Sequence, residues 1–318
     1  MELYLHSLSF TANIVAPIFF IVFLGYLLKR LKVIDEGFIH TASKLVFVIT
    51  LPTLVFMSIS RTDFQAVFNP QQLGFVLIST FISFIALWAI GKYWIKRPED
   101  LGVFIQGAFR SNYGIIGLAV SYNLFSDSGL AQASLLLALV IPMYNVLSIV
   151  ALTIPAQRSG ASNIGSTLYE IIKNPLIIAV LLALPFSYFG FKLPEIAQNT
   201  GRYFANLTLP LALLAIGGSL NLASLRNTSS QATWATLSKL VFIPLVLTIA
   251  AWLYGFKGQD LAMMMVLFGC PTAAASFVMA KSMGGNAELA ANIILMTTLG
   301  SVLTLSAGIY LLRVIAII

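Results

Sequence analysis

The sequence predicts an all-α polytopic membrane protein: ten transmembrane helices in two inverted five-helix repeats, with helices 4 and 9 broken near mid-bilayer and crossing. Three observations carry this. Of 318 residues, 59% are hydrophobic and 9% charged, whereas soluble domains run near half apolar and a quarter charged. The apolar residues fall into ten long runs, and the two halves of the chain share short collinear matches.

The runs lie near 10–30, 38–60, 72–95, 101–125, 129–155, 168–189, 196–221, 231–254, 260–281 and 288–313. Each is close to the roughly 20 residues that cross a bilayer. They are continuous rather than alternating, so helices are expected in place of barrel strands. The first run is too long for a signal-peptide core and lacks preceding Lys or Arg, so it is read as a span. Cytoplasmic loops carry the Lys/Arg excess. The ends after runs 1, 3, 5, 7 and 9 hold Lys29, Arg30, Lys32, Lys44, Lys92, Lys96, Arg97, Arg158, Lys173, Arg226, Lys239 and Lys281; the opposite ends hold only Arg61, Lys192, Arg202, Lys257 and Arg313. Both termini are therefore expected outside the cytoplasm. No loop is long enough for a separate soluble domain. The polar stretch 156–167 reads as a cytoplasmic hinge between repeats at 1–155 and 168–318.

Thr50-Leu51-Pro52 recurs as Thr208-Leu209-Pro210, Asp100-Leu101 as Asp260-Leu261, and Asn145-Val146-Leu147-Ser148 as Ser301-Val302-Leu303-Thr304, at offsets between 156 and 160. Five spans is an odd number, so the second repeat must cross the bilayer inverted relative to the first. Inverted repeats characterise secondary transporters, in which related halves expose one site alternately to each side.

Such a site is expected where helices break near the midplane, because freed backbone groups and half-helix ends can meet a polar substrate there. Run 4 breaks at Phe109-Arg110-Ser111-Asn112-Tyr113-Gly114-Ile115-Ile116-Gly117, about 15 Å of helix past its start. Run 9 breaks at Gly269-Cys270-Pro271-Thr272, where proline removes a backbone donor. An offset of 160 lays Arg110 on Cys270 and Ser111 on Pro271. Arg110 is the sharpest residue: an intramembrane arginine costs several kcal/mol and marks a substrate path or a partner, and all eleven Asp and Glu lie in loops or near span ends. An anionic substrate is the expected reason; a guanidinium bonded to exposed carbonyls is the competing one. Ser111, Asn112 and Tyr113 beside the first break, Pro271, Thr272 and Ser276 at the second, and Asn145 after the Pro142-Met143 step complete the candidate substrate-binding set. For each Ser or Thr, a bond back to the i−4 carbonyl competes with ligand contact. Pro52 and Pro210 read as kinks, Gly217-Gly218 as close helix packing, and Lys239 as a snorkelling residue; none of these is expected in the site.

At these residues the chain resembles the auxin efflux carrier family, in the bacterial branch related to plant PIN proteins and to malate or malonate permeases. The resemblance runs over the whole length: Leu24-Gly25-Tyr26-Leu27 ending span 1, Leu51-Pro52, the Arg110-to-Gly117 break, and Pro271-Thr272 leading to Ser276-Phe277-Val278-Met279-Ala280-Lys281. It implies a fold of the type shared by sodium/proton antiporters and bile-acid symporters, with a dimerising scaffold of spans 1, 2, 6 and 7. Spans 3–5 and 8–10 would form a moving transport domain, with Asn112 at the first crossover and Pro271-Thr272 at the second. The chain differs from the plant carriers in having Arg110-Ser111 and no proline at the first crossover, and in lacking their long cytoplasmic loop.

The expected function is elevator-type transport of a small organic anion, a carboxylate, by a homodimer in the lipid bilayer. The alternatives are a cation-coupled (Na⁺ or H⁺) symporter of an organic acid and a transporter-derived sensor. A membrane enzyme is disfavoured because buried Asp pairs and His centres are missing from the spans; no P-loop is present, so ATP-driven transport would need another subunit. One cysteine, Cys270, and two histidines, His6 and His40, make neither a disulfide nor a zinc site alone. The net charge of +7 is topology signal, with no basic face for nucleic acid. No cofactor and no metal are expected.

Overall fold

The structure, a computed structural model, describes residues 2–61, 68–155, 173, 175–222 and 229–315. The predicted hinge at 156–167 lies outside the described residues. The described chain is all helical, and its elements are α1 (Glu2–Arg30), α2 (Glu36–Ile59), α3 (Pro70–Trp94), α4 (Pro98–Phe109), α5 (Tyr113–Thr153), α6 (Pro175–Phe189), α7 (Glu195–Ser219), α8 (Ser230–Tyr254), α9 (Gly258–Gly269), α10 (Ala275–Ser282) and α11 (Ala287–Val314). Six of them, α1, α2, α3, α5, α8 and α11, are long and apolar enough to cross a membrane, and α6 is a shorter apolar helix.

Local chemistry sets the ends. Asp35, Asn69, Ser229 and Asn286 each cap a helix by accepting from a backbone N–H of its first turn, the role for which short polar side chains are suited. Pro70 and Pro98 occupy first helical positions, where the missing N–H costs nothing. The α8 helix ends at Gly255, whose φ of 111° is open to glycine and strained for other residues. Pro52 follows a π turn at Val46–Thr50, and the wider turn absorbs the donor that proline lacks. The second half of run 4 and run 5 as far as Thr153 are two helical stretches, labelled together as α5, parted by non-helical backbone at Phe125–Ser126, where Ser126 has φ 52°, so the kink falls where the two runs divide.

Two Asn caps tie distant parts of the chain together. Asn69, capping α3, donates from Nδ2 to Asp260 Oδ2 at 2.8 Å in the first turn of α9. Asn286, capping α11, donates to Asp100 Oδ1 at 2.7 Å in the first turn of α4. Gln132 of α5 also donates to Asp260, at 2.5 Å. Each carboxylate thus sits at a helix N-terminus, where the dipole favours it, and is held by amides. The α4 and α9 helices are anchored at their starts and free to break at their ends.

Packing falls into two groups. The α1 helix lies along α7, and α2 packs on α6 and α7. The α3, α4, α5, α8, α9, α10 and α11 helices pack mainly among themselves, with α11 reaching α1 and α5 reaching α2. The interior around α4 and α9 is densely apolar: Phe104, Ile105, Leu261, Met263, Met264 and Val266 are all buried.

Candidate functional site: the crossing of two broken helices

The α4 helix stops at Phe109 and α9 at Gly269, and neither chain resumes a helix at once. Residues 110–112 and 270–274 cross as a single antiparallel bridge between Ser111 and Thr272. Asn112 N donates to Pro271 O at 2.7 Å, and Ala273 N donates to Arg110 O at 3.2 Å. The side chains repeat this exchange. Ser111 Oγ donates to Leu267 O at 2.6 Å in the last turn of α9, while Thr272 Oγ1 donates to Gly107 O at 2.6 Å in the last turn of α4. Each break therefore supplies the hydroxyl that satisfies an exposed carbonyl of the other helix, which water cannot do at this depth.

The backbone bonds set Asn112 opposite Pro271 and Arg110 opposite Ala273 around the Ser111–Thr272 bridge, and the reciprocity of the two bonds makes Arg110 equivalent to Pro271, Ser111 to Thr272 and Asn112 to Ala273. That register is 161, one residue beyond the offset of 160 read from the sequence, because the second break spans five residues and the first only three.

A cavity of about 530 Å³ opens on this crossing, within the roughly 300–1,000 Å³ range of small-molecule sites. Arg110, Ser111 and Asn112 line it, with Tyr144 and Asn145 from α5, the Ala273–Ala275 stretch leading into α10, and the first half of α2 and last turns of α7 opposite. It thus lies on the seam between the two packing groups. A second cavity of about 410 Å³ lies along the other halves of α2 and α7, with Arg61, Arg202 and Asn123 in its wall. Leu51, in the wall of the first cavity, and Leu213, in the wall of the second, are both buried.

Arg110 is buried against this cavity. Its Nη2 donates to Asn145 Oδ1 at 2.9 Å and its Nη1 to Ser148 Oγ at 3.2 Å, with the Met279 sulfur alongside. Among the described residues no carboxylate pairs with it; the ion pairs are Lys29–Glu36 and Arg97 with Glu99 and Asp100. A guanidinium has five N–H donors, so the two neutral acceptors leave donors for a ligand. No group of three His, Cys, Asp or Glu that could hold a metal occurs among the described residues.

Of the candidate residues, Arg110, Ser111, Asn112 and Asn145 come together on the cavity wall. Tyr113 does not: it is fully buried, with its hydroxyl near the Met263 sulfur and its ring filling the space beside Gly117. Pro271 and Thr272 hold the crossing from behind the wall, and Ser276 is buried with its hydroxyl unpartnered among the described residues. Neither Ser111 nor Thr272 bonds back along its own helix. Thr272→Val is expected to lower the melting midpoint by about 3–6 °C, the equivalent of about 1–2 kcal/mol for one lost buried hydrogen bond, with Thr272→Ser restoring it in the same thermal melt.

The residue missed from the sequence is Lys239. Rather than snorkelling, it is 1% exposed. It donates to Ser111 Oγ at 2.6 Å and to Phe268 O at 2.7 Å. Its position nine residues into an apolar run was the available signal, since about 13 Å of helix separates it from the start of α8.

A sequence profile described as membrane transport protein matches residues 10–309. Full-length relatives are similarly named. An uncharacterized transporter of Escherichia coli K12 is 26% identical over 97% of this chain and 100% of its own. One of Methanocaldococcus jannaschii is 25% identical over 92% and 96%. A protein of Rhizobium meliloti strain 1021 named "Putative malonate transporter" is 28% identical over 95% of both chains. With 300 of 318 residues inside the profile, the chain belongs to the membrane transport protein family, that of the auxin efflux carriers, and is a membrane transporter.

Proposed function

We propose that the protein is a secondary transporter of a small organic anion, a carboxylate, working by elevator-type alternating access. The observation that carries the reading is Arg110: a buried guanidinium at the crossing of two broken helices, on a cavity, with only neutral partners. A desolvated cation of this kind is costly unless it meets an anion in use. The N-terminal ends of α5 and α10 begin beside it, at Asn112 and Ala274, and their dipoles favour negative charge. Asn112 and Asn145 supply hydrogen bonds for orientation.

The remaining assignments follow from this. The ten runs form two inverted sets of five, the second beginning near residue 168. The α1, α2, α6 and α7 helices act as a scaffold, which dimerises, and the other helices as the moving body. The cavity on the seam and the second cavity along the other halves of α2 and α7 are the two ends of one route. Both termini lie outside the cytoplasm of the plasma membrane. Moving one charge is worth about 2.3 kcal/mol per 100 mV, so a negative interior drives anion export; import requires a coupled cation. The name of the Rhizobium relative favours a short dicarboxylate such as malonate within the carboxylate class.

Currents from reconstituted proteoliposomes on a solid-supported membrane test the reading, with a panel of mono- and dicarboxylates including malonate and with the neutral amides as controls. A saturable current with some acids and none with their amides is expected. Silence with every acid in both ion-gradient directions, from protein shown to be folded, overturns it.

A further inference from the structure

The C-terminal ends of helices carry orphan carbonyls and partial negative charge. Where such ends meet inside a transporter they are the usual seat of a coupling cation. Here α4 and α9 both end at the crossing, and that seat is filled by a side chain. Lys239 Nζ reaches Phe268 O, in the last turn of α9, and Ser111 Oγ, two residues past the end of α4. Both ligands are uncharged oxygens at 2.6 and 2.7 Å, the donor set a monovalent metal cation takes. Among the described residues no carboxylate accompanies the ammonium.

The helix carrying Lys239 is shaped for the purpose. The α8 helix widens into a π turn at Ser238–Phe242, the kind of local insertion that recurs at functional sites. The preceding residues, Ala232 and Ala235, are small and buried, so α8 approaches closely. Ser111 is the link to the cavity. It lines the wall, accepts from Lys239 and donates a hydrogen bond to Leu267 O. The ammonium therefore stands one hydroxyl behind the surface that the substrate meets.

We propose that Lys239 is a resident cation of the crossing, occupying by tether the seat at the half-helix ends where a diffusible sodium or potassium ion would otherwise bind. The carrier then takes no alkali cation at this point, and the fixed charge travels with the moving helices. It gives a substrate anion a second compensating charge beside that of Arg110. The inference rests on the transporter reading, but the binding it concerns needs no substrate.

Thermal melting of the purified full-length protein in detergent, in sodium, potassium or choline chloride at equal ionic strength, tests it for wild type and Lys239→Ala. Wild type is expected to melt at one temperature in all three salts. The variant should melt lower in choline and recover with sodium or potassium in a saturable way, by about 3 °C at tenfold above Kd. Lys239→Arg, which keeps a charge in the seat, should stay indifferent to the salt. A variant that is folded yet equally indifferent, or an alkali-cation shift as large in wild type as in the variant, overturns the proposal. Lys239→Gln gives the same reading if the alanine variant fails to fold. Because no substrate is present, failure of the carboxylate currents leaves this result standing, and failure here leaves those currents unaffected.

Discussion

Replacing Arg110 by alanine is expected to abolish carboxylate-evoked current, lowering transport at sub-saturating substrate by at least about 100-fold. The guanidinium meets a desolvated cavity with donors to spare. A hydrogen bond to a charged group is worth about 1.5–3 kcal/mol, and a carboxylate on a guanidinium makes two. At 1.4 kcal/mol per tenfold, this is about 10²–10⁴ in affinity. Arg110→Lys keeps the charge but not the planar fork, so it should recover only part of the loss. Stability should move the other way or not at all. A buried charge without a carboxylate is a burden on the fold, and removing it frees only Asn145 Oδ1 and Ser148 Oγ at the edge of a cavity. Current lost from protein that melts no lower than wild type is the expected pair of results. Undiminished saturable current in folded Arg110→Ala would assign the guanidinium to the architecture of the crossing and leave Asn112 and Asn145 as the substrate contacts.

The same residue shows why some of this site is legible in a sequence. An arginine flanked by Phe109 and Ser111-Asn112 in an apolar run is improbable unless the fold uses it, and a proline at Pro271 announces a lost backbone bond. Both breaks could therefore be located without coordinates, and the lack of intramembrane carboxylates left Arg110 without an obvious mate. Lys239 carries the same kind of signal, but a long flexible side chain near a helix end has two outcomes, snorkelling or burial, that residue spacing alone does not separate. The π turn that aims it inward is a property of tertiary packing. Tyr113 shows a related point: adjacency to a break does not say which way a side chain points, and the missing Cβ at Gly117 opens a slot that its ring fills. The one-residue change in register at the crossing arose from the unequal lengths of the two unwound stretches, which short sequence matches cannot resolve. Asn69 and Asn286 cap α3 and α11. Their second bonds, to Asp100 and Asp260, join segments about 190 residues apart and become evident only in three dimensions.

Gly217→Ala is the substitution expected to damage the fold most for the fewest atoms added. A Cβ at Gly217 would lie 1.8 Å from Val22 O and 3.0 Å from Tyr26 N, and one at Gly25 would lie 2.2 Å from Leu214 O. All of these neighbours are backbone atoms, so no side chain can swing aside. The α1 and α7 helices touch main chain to main chain, as membrane helices do when packing must replace a hydrophobic driving force. Admitting one methyl requires them to part along a seam on which α2 also depends through α7. The cost should reach about 3 kcal/mol or more, at the upper end for overpacking, read as a melting midpoint lower by about 6 °C or more and a reduced yield of monodisperse protein. Gly25→Ala should behave alike, and the double variant should cost less than the sum, since the first separation relieves the second clash. Gly74→Ala on α3, where no atom lies within 4 Å of the added Cβ, should shift stability by no more than about 1 kcal/mol. A Gly217→Ala protein melting like wild type would mean that α1 and α7 can slide apart freely. That would contradict the assignment of these helices to a rigid scaffold, against which the Arg110 crossing must move.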